Sequence, residues 1–206
     1  MAKREKINTI IAKVFINCPF DAEYRTLLRP LLFSLIFLNF EPLIASRRTD
    51  SSEIRLNKIL DLIEISDHSI HDISRVIAKS TGDSFRLNMP FELGIDWGYK
   101  HFNNSKKQFL VLGGEKYSIG RALSDISGCD PEFHENDGEK LVRIVRNWIV
   151  NLYPEKQFDG ASEIWDQYNF FYTSLYENKN YSNEDVESMP VSEYINNICR
   201  WQDNHH

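Results

Sequence analysis

At 206 residues, with 42% hydrophobic and 26% charged side chains, the chain can build one full α/β core plus an accessory element. Its net charge of −6 is unevenly spread: residues 155–206 hold ten acidic and three basic side chains, against twenty and twenty-one in residues 1–154. A near-neutral domain with an acidic tail argues against a nucleic-acid groove, although Arg25, Arg29, Arg47 and Arg48 could still meet the phosphates of a small ligand.

The basic start (Lys3, Arg4, Lys6) runs into Ile10-Ile11-Ala12, and Lys13 interrupts it, so no signal peptide is expected. Lys13 to Asn17 reads as a short apolar strand ended by Cys18-Pro19. From Asp21 a long helix follows, with Leu27, Leu31, Leu35 and Leu38 on one face and a kink or break expected near Arg29, because Pro30 falls inside it. Its apolar run, Leu31 to Phe40, is about half of what a bilayer needs and reads as a helix buried on most sides, so no membrane association is expected. Pro42 to Ser46 gives a second strand. Asp50 and Glu53 have capping spacing ahead of Leu56, Ile59, Leu60 and Ile63 at helical period.

His68 to Ser74 is a third strand, with His71 and Asp72 at its end, and residues 75–85 read as a polar loop. A helix then opens at Asn88-Met-Pro90-Phe91-Glu92-Leu93-Gly94: Asn88 suits an N-cap, and Pro90 fits only near a helix start. Lys107 to Gly113 is the clearest strand, and a weak fifth lies near Asp130 to His134. Leu141, Ile144, Val145, Trp148, Ile149 and Leu152 mark an amphipathic closing helix. The β-α-β-α alternation requires parallel strands with helices on both faces, and five strands suggest a flavodoxin-like sheet of order 2-1-3-4-5.

From Pro154 the composition changes. Ile164, Trp165, Tyr168, Phe171, Tyr172 and Leu175 define an aromatic helix, Ile195, Ile198 and Cys199 a second, and Asn178 to Pro190 a polar linker. The expected organisation is an α/β domain over 1–154 and a helical extension over 155–206, packed on that domain or on a partner. Three distant cysteines (Cys18, Cys129, Cys199) make neither a disulfide framework nor a zinc site, which fits a reducing cytoplasm and no bound metal.

Glu92 carries the chemistry. It sits about one turn into its helix, where the dipole favours the anion, beside the carboxyl ends of the strands, where open α/β sheets bind ligands. A carboxylate there can stabilise positive charge on a sugar carbon, which points to glycosidic-bond chemistry; an exposed glutamate serving only the helix dipole is the plain alternative. Asp96 and Tyr99 share its stripe at helical spacing. His71 reads as a core histidine or a catalytic one, Cys18 as a small buried side chain, and Phe20 and Trp97 as core aromatics able to stack on a base. Gly113-Gly114 has neither the spacing nor the Lys of a phosphate loop.

The segment Arg86-x-Asn88-x-x-Phe91-Glu92-Leu93-Gly94 resembles one in bacterial TIR-like nucleotide-binding proteins, in which the glutamate cleaves NAD. Ser124-Asp125-Ile126-Ser127-Gly128 resembles their turn after the fourth strand, and Val14-Phe15-Ile16-Asn17 with Asp21 is similar to their opening strand and loop. A second resemblance is to nucleoside 2-deoxyribosyltransferases, through Pro19-Phe20, Asp72 and the nucleophile-like Glu92. The chain departs from that pattern at Arg86, where those enzymes carry a second carboxylate; an arginine suits a phosphate better than a bare nucleoside.

The resemblances imply hydrolysis of the N-glycosidic bond of NAD or a related nucleotide, NAD being substrate rather than cofactor. Glu92 would be catalytic, and Asn17, Pro19, Phe20, Arg47, Asp72, Arg86 and Asn88 would bind the substrate. They also imply a role as an effector or signal producer in bacterial anti-phage defence, switched on by self-association or a protein partner. A deoxyribosyltransferase-like hydrolase and a non-catalytic nucleotide-sensing or assembly module remain as alternatives.

Overall fold

The computed structural model describes residues 10–76, 87–103, 105–116, 123 and 128–205. Five strands form one all-parallel sheet: β1 (Lys13–Asn17), β2 (Glu41–Leu43), β3 (His68–Asp72), β4 (Gln108–Gly113) and β5 (Glu132–Phe133), in the order β2-β1-β3-β4-β5. This is the flavodoxin-like arrangement. The helices of the α/β part are α1 (Arg25–Phe37), α2 (Arg55–Ile65), α3 (Asn88–Phe102) and α4 (Gly138–Leu152).

Strand alternation decides which helix each side chain meets. Val14, Ile16, Ile70, Leu110 and Leu112 share a core with α1 and α4. On the opposite face Phe15 packs with Ile59 and Ile63 of α2, and Val111 with Met89 and Leu93 of α3. Asn17 pairs in register with His71 across β1 and β3, while α1 leaves β1 on one face and α3 follows β3 on the other. That divergence opens the sheet's switch point.

Helix α1 is buried at every position from Leu27 to Phe37, in keeping with its apolar run. It does not break at Pro30. The proline takes away the amide that would otherwise reach the Thr26 carbonyl, and α4 exploits the place: a Cβ on Gly138 would come within 3.3 Å of that carbonyl and of Trp165. Ser34 donates its hydroxyl to the Pro30 carbonyl at 2.8 Å.

Several sequence expectations need correction. The second strand spans only Glu41–Leu43, and Ala45–Arg47 turn into a 3₁₀ helix. Neither Asp50 nor Glu53 caps α2, whose N-cap is Ile54; Asp50 accepts from Ser52, and Glu53 pairs with Arg48 and Lys58. Asn88 is the first residue of α3 rather than its cap, since Leu87 precedes it in helical conformation. Most of the expected loop at 75–85 lies outside the described residues.

The C-terminal part is helical: α5 (Ala161–Glu177), α6 (Asn183–Ser188) and α7 (Val191–His205). Helix α6 occupies part of the expected polar linker and starts with a Ser182–Asp185 capping box. The aromatic stripe packs inward: Phe33 of α1 meets Tyr168, Phe171 and Trp201 at ring distances of 5.4–5.7 Å. Cys199, in contrast, is exposed. Among the described residues no helix is long and apolar enough to cross a membrane.

Candidate functional site

The residues at the switch point are polar although the strands are central. On the α3 face, the Asn17 amide donates to the Met89 carbonyl at 2.8 Å, which fixes its orientation, and lies 3.1 Å from His71 Nδ1. His71 Nδ1 is therefore an acceptor, and its Nε2–H donates to Asp96 at 3.1 Å. Asp96 also accepts from Ser69 at 2.6 Å and from Lys107 Nζ at 2.8 Å, and Lys107 donates to the Ile63 carbonyl. Burial lowers the His71 pKa despite the Asp96 contact. Burial would push Asp96 up, but His71, Lys107 and Ser69 hold it below the ordinary range. The network joins β1, β3, the segment entering β4, and α3, and it sets the height of α3 above the sheet.

One turn before Asp96, Glu92 is buried, with its side chain 7% exposed. The stripe it shares with Asp96 faces inward, so Glu92 is not an exposed dipole partner. Among the described residues its ion pair is with the Arg55 guanidinium, 3.8 Å from Oε1. Burial raises the Glu92 pKa, and Arg55 opposes the rise. A desolvated carboxylate with a single loose cation beside it has electrostatic capacity left for a developing positive charge.

Arg55 links Glu92 to a cleft of about 350 Å³. Its guanidinium lies over the Phe20 ring, 5.7 Å from the centroid, and both side chains line the cleft. Asp21 and Arg25 stand beside them, and Leu28, Leu32, Met189 and Tyr194 supply much of the apolar wall.

The expected site residues separate into groups. Glu92 and Phe20 meet at Arg55 on the carboxyl edge; Asn17, at the end of β1, ties that strand to α3, and Phe20, 40% exposed, is available for stacking rather than used in the core. Pro19 is buried in the turn between Cys18 and Phe20. Asn88 is exposed on the first turn of α3. Arg47 is exposed near Cys199 of α7, whose thiol pKa burial raises and Arg47 only partly offsets, and it does not line the cleft. Arg86 lies outside the described residues, as do Ser124 to Ser127.

Asp72 belongs to the other face of the sheet. It accepts from Tyr24 at 2.5 Å, from His134 Nε2 at 3.0 Å and from the Ser74 amide at 2.8 Å. His134 Nδ1 accepts from the Asn136 amide, so the ring donates to Asp72 through Nε2. Burial would raise the Asp72 pKa, yet these donors bring it below the ordinary value. Asp72 therefore fastens the β3 end to α1 and to the loop after β5. Cys18 is fully buried, and burial, then Asp72 and Glu92, push its thiol pKa well up, so it is no thiolate nucleophile.

Two of the other arginines are committed elsewhere. Arg29 donates to the Val186 and Glu187 carbonyls, and Arg48 pairs with Glu53 and Asp61. Arg55 and the Met189–Tyr194 wall escaped the sequence reading; the first-turn position of Arg55 on the helix after β2 was the available signal. No protein-family model and no curated protein matches the chain.

Proposed function

We propose that the chain hydrolyses the N-glycosidic bond of NAD or a related nucleotide, with Glu92 as the catalytic carboxylate. The observation that carries this reading is Glu92 itself: a buried carboxylate at the switch point of a parallel sheet, beside an arginine-bearing cleft. As the C1′–N bond breaks, the bonding pair leaves with the base and the ribose carbon takes on oxocarbenium character, which the Glu92 anion stabilises; water then adds and releases a proton. Nicotinamide leaves NAD neutral from a cationic pyridinium, so no acid need protonate it, and one carboxylate suffices. Arg55 suits the adjoining phosphate and keeps Glu92 ionised.

The resemblance of the Arg86–Gly94 segment to TIR-like proteins supports the same chemistry and suggests a defence effector that assembly or a partner activates. A panel of NAD, nucleoside monophosphates and deoxynucleosides, resolved by chromatography, tests the reading. Nicotinamide release is expected; free base from deoxynucleosides alone would instead favour a deoxyribosyltransferase-like hydrolase, and binding without any product a sensing module.

A further inference from the structure

The cleft beside Glu92 is closed on one side by the C-terminal part of the chain. Ser188, Met189, Pro190, Val191 and Tyr194, from the end of α6 and the start of α7, face Leu28 and Leu32 of α1 across it. This wall is tied in place: Arg25 Nη1 donates to the Glu187 carbonyl at 2.6 Å, and the buried Arg29 donates to the carbonyls of Val186 and Glu187. Arg29 also lies over the Tyr172 and Tyr194 rings at 5.7 and 5.2 Å.

The cleft has two chemical ends. Toward Glu92 it presents the cationic Arg55 and the exposed ring of Phe20. Toward the extension its wall is mainly apolar, from Leu28, Leu32, Met189, Pro190 and Val191. Arg25 and Arg55 line the cleft against Asp21, so its polar end offers cationic partners to an anion. Its volume of about 350 Å³ accommodates one nucleoside-sized group.

We infer that this cleft binds the distal half of a dinucleotide: the phosphates at Arg55 and Arg25, and the purine between α1 and the Met189–Tyr194 wall. The inference deepens the proposed function, since it places the scissile ribose at Glu92 and gives residues 188–194 the choice of substrate. A mononucleotide lacking this half would lose the apolar contacts and react poorly even when its glycosidic bond is equally labile.

Met189→Trp fills the apolar end and leaves Glu92 and Arg55 as they are. Wild type and variant, as residues 1–206 with folding checked by circular dichroism, are titrated with AMP and with NAD by calorimetry, and cleavage of NAD and of nicotinamide mononucleotide is followed in parallel. AMP should bind the wild type, and Met189→Trp should weaken AMP and NAD at least tenfold. Nicotinamide mononucleotide should be a poorer substrate than NAD for the wild type and should be unaffected by Met189→Trp. AMP binding that is absent, or unchanged in a folded Met189→Trp, overturns the cleft assignment while Glu92-dependent cleavage stands. Binding that follows the prediction without any cleavage supports the cleft and counts against the catalytic reading.

Discussion

Glu92 and Arg55 form the smallest unit from which function can be argued. A buried carboxylate with a raised pKa is ionised over a narrower pH range than an ordinary glutamate, whose value is near 4.3. Cleavage that needs the anion should therefore fall on the acid side at a pH above that value. Because Arg55 opposes the rise, Arg55→Ala should move the acid limb higher still, as pH–rate profiles of the two proteins would reveal; coincident limbs would mean that another group titrates. Stability runs in the reverse sense. The unfolded chain loses the Glu92 proton first, so stability declines as pH rises from the unfolded value through the folded one. Glu92→Gln should then match or exceed the wild type in chemical denaturation at neutral pH, with any advantage gone below about pH 4. A clear loss at neutral pH would show that the anion supports the fold.

At the scale of elements, α3 is positioned by polar contacts rather than by its apolar stripe alone. Asp96 takes hydrogen bonds from Ser69, His71 and Lys107, all of them buried. Asp96→Ala leaves the Lys107 ammonium buried without its carboxylate, which should cost about 3–5 kcal/mol in denaturant unfolding. A loss below about 1 kcal/mol, on the scale of an exposed ion pair, would show that Asp96 is not a clamp. The sequence disclosed part of this. Strand order, the inward helix and the place of Glu92 follow from hydrophobic period, because the α/β core is built from it. The polar strand His68-Ser69-Ile70-His71-Asp72 was visible, but not the partition of its side chains: His71 serves α3 and Asp72 serves α1, which only the pleat and the packed helices determine. Capping was misread at Asp50, Glu53 and Asn88 because tertiary ion pairs and a helical Leu87 override local spacing.

Across the whole molecule, the acidic C-terminal part is continuous with the core that it appeared to follow. Leu31, Phe33 and Leu35 share one apolar cluster with Ile164, Phe171, Ile198 and Trp201. A chain ending at Pro154 would leave a flank of α1 open to water, so it should aggregate or lose cooperative unfolding, whereas residues 1–206 should unfold in a single transition. A monomeric, cooperatively folded 1–154 fragment would contradict that picture. The amphipathic stripe was readable in the sequence, but its partner was not: a packed core and an oligomer interface have the same period.

The claim on which the rest depends is that Glu92 is a catalytic anion. The direct measurement is the rate of nicotinamide release from NAD by wild type and Glu92→Gln, across a protein-concentration series that extends into any self-associated range. The account predicts release by the wild type and a fall of about a hundredfold or more in the variant, the scale of losing one preorganised electrostatic stabiliser. Equal release by both proteins, or no release by a wild type that binds NAD at every concentration, would contradict it.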